Sequence, residues 1–183
     1  WLCTPKGSAI LHVRRDRQDQ IRPLSISHGA NSVRSDRSRF LIEADWTGTH
    51  DPTPYLCIPA AIDAMGGLFP GGWDELRTTN RALALAGRDA LLSAVGGEAP
   101  CPDEMISHLA TVVLPEDDSP YEGHYEDPLQ DALLSEYSVQ VPVMRWTPLR
   151  SRFIRISAQA YNSAEQYEYL AAALTALAVG VDR

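Results

Sequence analysis

The chain has 183 residues, 44% of them apolar and 22% charged, with 24 acidic against 16 basic side chains and a formal net charge of −8. That length suits one cored domain, or a small domain joined to part of another. The acidic balance argues against nucleic acid as the main partner, because phosphate backbones need a basic face, and no membrane partner is expected, since the longest apolar run, Tyr169 to Val181, falls short of the roughly 20 residues that span a bilayer.

The chain opens on Trp1 in mid-pattern, with no initiator methionine and no charged-then-apolar leader, so a truncated chain is expected. Lys6 is the only lysine, and arginine supplies the other 15 positive charges. Pro5-Lys6-Gly7 reads as a tight turn with a solvated lysine. The apolar run at 7–14 that follows reads as a short buried strand, and 21–27 as a second extended piece. Residues 29–39 are polar and read as a loop. The short apolar run at 40–44 suggests another strand, and 45–54, dense in Thr, Gly, Asp and Pro, another loop.

Pro59 suits the first turn of a helix over 60–69, ended by Pro70-Gly71-Gly72. A longer helix over 73–95 follows from the spacing of Trp73, Leu76, Asn80, Leu83, Gly87 and Leu91, with Gly96-Gly97 as its stop. Residues 106–114 are rich in β-branched side chains and read as a strand, and 118–123 as a turn-rich loop. Asp127 caps a helix beginning at Pro128 and running to Tyr137. Two strands are expected at 139–143 and 153–157. Ser163 with Gln166 forms a capping box, after which Tyr167, Leu170, Leu174 and Leu177 line one face of the last helix, ended by Gly180. The pattern gives an α/β fold, an open sheet with helices on one face.

Cys3, Cys57 and Cys101 are odd in number and widely spaced, which gives neither a disulfide framework nor a zinc site and fits a reducing cytoplasm. Three segments carry candidate chemistry. In the strand at 153–157, alternation puts Ile154 and Ile156 on one face and Phe153 and Arg155 on the other. Arg155 then either enters a structural ion pair or points into a cleft, where a guanidinium binds a carboxylate through two parallel N–H bonds. In Asp45-Trp-Thr-Gly-Thr-His-Asp-Pro-Thr-Pro-Tyr55, Gly48 allows close backbone approach, and Thr47 and Thr49 offer hydroxyls; the loop either only shapes a turn or makes an anion-binding nest. The third segment is Trp1 to Val13.

In order and spacing these segments resemble the C-terminal portion of the class V aminotransferases, pyridoxal-phosphate enzymes of fold type I, and most closely the isopenicillin N epimerase-like group. The resemblance spans nearly the whole chain and is most specific at 45–55 and 155–163. It implies that Trp1, Pro5, Lys6 and Gly7 follow the Schiff-base lysine, which would fall just before Trp1. Lys6 is then a turn residue with no catalytic role. It implies a large-domain remnant at 1–70, a connecting helix at 71–96 and a small C-terminal domain at 97–183. It further implies that Arg155 binds the substrate α-carboxylate. Gly48 and Thr49 would contact the phosphate of pyridoxal 5'-phosphate bound in the neighbouring subunit of a homodimer, and His28 would lie in a loop near the cofactor, unless it is simply solvated. His50 stands where this group is expected to have arginine, which bears on substrate preference. The expected activity is epimerisation at the α-carbon of an amino acid or small peptide. Transaminase and lyase chemistry share its first step, and a non-catalytic chain supporting a partner subunit is the alternative from another class. A desulfurase would need a cysteine within 138–151, and none is there. Without the lysine, the chain by itself is expected to be inactive.

Overall fold

A computed structural model describes residues 1–115, 127–146 and 151–179. The chain divides into two compact units, Trp1–Met65 and Gly66–Arg183.

In the second unit the helix α4, Gly72–Val95, starts with Asp74 and Glu75 in its first turn, where acidic side chains suit the helix dipole. It ends at Gly96, whose φ of +67° an L side chain rarely adopts. Its buried stripe is Leu76, Asn80, Ala84, Gly87, Arg88 and Leu91. At Gly87 a Cβ would stand 2.8 Å from both Ile156 Cδ1 and Tyr167 Cγ, so only glycine lets the helix come this near the sheet and the last helix.

Three strands form one antiparallel sheet in the order β1-β3-β2: β1 is Leu109–Leu114, β2 Val143–Trp146 and β3 Ser151–Ser157. The register pairs Ala110 with Ile156, Val112 with Ile154, and Val143 with Ile154. These residues share one face and are buried, together with Leu114. Helix α4 packs on β1 and β3 and also against α6, Ala164–Val179, while α5, Pro128–Tyr137, packs on α6. The core joins this sheet face to Leu91, Leu133, Tyr167, Leu170, Ala173 and Leu174. The unit is thus a mixed α/β structure with helices over the apolar face of a small sheet.

The helix predicted from Asp127 and Pro128 is present, and Asp127 accepts from the Leu129 amide at 3.0 Å. The capping box holds α6: Gln166 Oε1 accepts from the Ser163 amide at 3.2 Å. The strand expected at 139–143 begins only at Val143. Val139 is drawn into the end of α5, where Ser138 takes φ +56° and the Val139 amide donates to Leu133 O at 2.9 Å, so it cannot serve a sheet ladder. The loop expected at 118–123 lies outside the described residues.

The first unit departs further from expectation. Residues 7–14 form no strand; Ile10 and Leu11 are 64% and 73% exposed. A strand needs a neighbour for its amides and carbonyls, and among the described residues none pairs with this segment. The same holds for 21–27. The run at 40–44 is helical rather than extended: α1 is Arg39–Ala44, its Ser38 Oγ accepts from the Leu41 amide at 3.3 Å, and Arg39 pairs with Glu43 at 2.7 Å one turn on. A short apolar run does not distinguish strand from helix; here the cap and the i,i+4 pair do. Short α2, Thr53–Leu56, precedes α3, Ile58–Gly66, which stops earlier than the 69 expected.

Candidate functional site

Arg155 sits where alternation puts it. Ile154 and Ile156 are 0% and 3% exposed, whereas Arg155 is exposed on the other face. Its amide donates to Pro142 O at 3.3 Å, which fixes the backbone, and its guanidinium has no ion pair or hydrogen bond among the described residues. The structural ion pair that the sequence left open for Arg155 is made instead by Arg152 and Arg145, which face each other across β3 and β2. Both donate to Asp127, which is fully buried: Oδ2 accepts from Arg152 Nε at 2.8 Å and Arg145 Nε at 3.0 Å, and Oδ1 is bonded to Arg152 Nη2. Burial pushes the Asp127 carboxyl up, but the Arg152 bond, the Leu129 amide and Arg145 outweigh it, so the group lies below the usual aspartate range. Sequence reasoning gave Asp127 only its capping role. No sequence signal announced this pairing, since Arg145 and Arg152 both fall outside the strands expected at 139–143 and 153–157.

Beside Arg155 lies a cleft of about 540 Å³, walled by residues 138–142, the end of β3 and the start of α6. Its α6 wall is well fixed. Asn162 Oδ1 accepts from the Gln159 amide at 3.1 Å, and Asn162 Nδ2 donates to Gln166 Oε1 at 3.0 Å. Tyr167 donates to Ser157 O at 2.9 Å, and burial, then Tyr161, pushes its hydroxyl pKa up, keeping it protonated. Glu165, held low by the Ser163 hydroxyl, brings one carboxylate to the cleft. The open cation beside a concave surface can hold a carboxylate-bearing ligand.

The other candidates lie in the first unit. Gly48 has φ +137°, and nothing stands within 4 Å of where its Cβ would be. The backbone there is open to close approach. The Gly48 carbonyl is bonded to His50 Nδ1 at 2.8 Å, and the His50 ring rests near Trp46 and Tyr55. His50 therefore shapes this loop locally. Thr49 is exposed, and its hydroxyl has no partner among the described residues. Asp51 closes the loop, accepting from the Thr53 hydroxyl at 2.6 Å and the Thr53 amide at 2.9 Å, which together hold its pKa low.

His28 is exposed and opens the 3-10 turn His28–Asn31. The turn is clipped to α1 by a network that sequence reading did not find. Arg39 donates to Gly29 O at 2.6 Å, to Ser32 O at 3.0 Å, to Ala30 O, and to Glu43. Glu43, 5% exposed, also binds Arg22 at 2.6 Å. Burial raises the Glu43 pKa, but Arg39 and Arg22 more than offset this, leaving it lowered. Gly29 touches the Ile42 carbonyl so closely that a Cβ would stand 2.2 Å from it. Lys6 is exposed in its turn.

No family model matches the chain. It is 29% identical to an isopenicillin N epimerase of Amycolatopsis lactamdurans, over 97% of this chain and 44% of that protein. It is 28% identical to an isopenicillin N epimerase of Streptomyces clavuligerus, over 97% and 45%. A probable chloroplastic L-cysteine desulfhydrase of Arabidopsis thaliana is 24% identical over 97% and 38%. These relatives are class V aminotransferase-like pyridoxal-phosphate enzymes, and the chain is homologous to part of them. It spans less than half the length of each.

Proposed function

We propose that this chain is the C-terminal part of a pyridoxal-phosphate enzyme that acts at the α-carbon of an amino acid or small peptide by epimerisation, with residues 1–70 belonging to the cofactor-binding domain and 97–183 to the small domain. The observation that carries this reading is Arg155, an exposed guanidinium without an ion pair among the described residues, on a strand whose flanking isoleucines are anchored in the core. The cofactor's donors fit as well. Gly48 is open to close approach, and the Thr49 hydroxyl is available to a phosphate oxygen.

When bound, pyridoxal phosphate draws electrons from the substrate α-carbon. Arg155 holds the α-carboxylate and so orients the α-bonds for reaction. The Gly48 amide and Thr49 hydroxyl hold the phosphate from the neighbouring subunit of a homodimer, and His28 stands on a rigid turn near the cofactor. Lys6 takes no part, and the chain alone is inactive. A second reading, a lyase, is favoured by the L-cysteine desulfhydrases among the relatives.

The test measures KM and melting temperature of Arg155→Lys and Arg155→Ala in the whole enzyme. Lysine keeps the charge and loses the two-pronged donor, so KM should rise by roughly one to two orders of magnitude, about 1.4–2.8 kcal/mol. An unchanged KM with a large fall in melting temperature would sink the carboxylate role. Product analysis separates the readings: the epimer for one, release of the side-chain group for the other.

A further inference from the structure

A second cleft, of about 250 Å³, lies within the second unit, between the N-terminal half of α4 and the segment entering β1. Among the described residues its lining is Arg77, Thr78, Arg81, Ser107 and His108, with no acidic side chain although the chain as a whole is strongly acidic. Arg77 and Arg81 are four apart on one helix, a like-charge spacing that costs an isolated helix a few tenths of a kcal/mol.

Among the described residues the nearby carboxylates are engaged elsewhere or lie in water. Asp103 offers Arg81 only its backbone carbonyl, at 2.7 Å, while its carboxylate binds Arg88 at 2.7 Å. Arg81 Nε donates to Ile106 O at 3.0 Å. Two carbonyls thus fix this guanidinium without neutralising it, and its Nη1 has no partner among the described residues. Arg77 stacks over Trp73 at 5.5 Å and reaches Asp74 only through Nη1, at 3.2 Å, where Asp74 is 95% exposed. A pair so exposed is strongly screened. On the opposite wall the Ser107 hydroxyl has no partner among the described residues. Burial and then Arg77 hold the His108 pKa below the usual imidazole value, in keeping with a positive local field.

We propose that Arg77, Arg81 and Ser107 form a binding site for a small tetrahedral oxyanion of the phosphate type. Donors come from two positions on a helix and from a facing segment, three groups where a carboxylate offers two oxygens. Such a set meets a tetrahedral anion from several sides, whereas a planar carboxylate uses two oxygens in one plane. The positions of Arg81 and Trp73 also preorganise the two cations, which lowers the ordering cost of binding.

Isothermal titration of the 183-residue chain with inorganic phosphate, at constant ionic strength, tests this. Saturable binding is expected. Arg77→Gln should weaken it about tenfold, while Arg14→Gln, which removes an exposed arginine of the first unit, should leave it unchanged. Arg81→Gln should abolish it, but it also removes two anchors to the 103–106 segment. Arg77→Gln is therefore the deciding variant, because those anchors remain. Absence of saturable phosphate binding, equal binding by Arg77→Gln, or equally tight binding of acetate would each overturn the proposal.

Discussion

The two units hold themselves together by different means. The second closes an apolar core between three strands and the helices α4, α5 and α6, with Leu91, Val112, Leu133, Val143 and Ile154 fully buried. In the first unit only Gly29, Ile42, Glu43 and Met65 are buried, and Leu24, Ile26 and Val33 are almost wholly exposed. Its order comes instead from arginines bonded to carbonyls and carboxylates, above all Arg39 on the His28–Asn31 turn. The contrast teaches that local polar bonding can fix a short turn, but only buried apolar area sustains a cooperative domain.

Three substitutions sharpen that contrast. The largest effect is expected for Asp127→Ala in the second unit. It takes away the buried carboxylate shared by Arg145 and Arg152 and the cap of α5, and should cost about 3–5 kcal/mol in a denaturant titration. A loss under 1 kcal/mol would show that the ion cluster contributes little. Next is Gly87→Ala, whose methyl would crowd Ile156 and Tyr167. Overpacking there should cost about 1–3 kcal/mol, read as a lower denaturation midpoint with unchanged slope. If stability holds, α4 can move away from the sheet more readily than its packing indicates. Arg155→Ala should have the smallest effect on the same unit, within about 0.5 kcal/mol, because an exposed side chain with no partner among the described residues contributes little. A marked loss would return Arg155 to a structural role.

The first unit should respond to pH and not to core changes. Glu43 has its pKa lowered from the ordinary 4.5 in the folded state. The unfolded state therefore binds the proton more readily, so the contribution of Glu43 is present above 4.5 and is lost as pH falls through the lowered value. Amide exchange at residues 28–32 should begin to speed up as the pH falls below 4.5, whereas the β1 and β3 amides stay protected until the pH falls below 3.8, where Asp127 begins to lose its own contribution. Glu43→Gln should give the acidic behaviour at neutral pH. Equal protection of both units throughout would mean that they unfold together.

The sequence by itself determined the elements whose signals are local. A capping aspartate before proline set the start of α5, the Ser163–Gln166 box set the start of α6, and apolar periodicity with a terminal glycine set α4. Period-two alternation told which face of β3 carries Arg155, and the relatives agree with the family resemblance drawn from the same segments. Tertiary structure alone decided which arginine is buried with a carboxylate, because Asp127 is 18 and 25 residues from its partners Arg145 and Arg152. It decided that 40–44 is helix and that 7–14 joins no sheet among the described residues, since a short apolar run takes its form from the neighbours available to it. It also brought Arg77 and Arg81 opposite Ser107 across a helix-to-strand packing that no sequence spacing announces. Short-range hydrogen bonds and periodicity are written in adjacent residues, whereas burial and charge pairing depend on which distant segments meet.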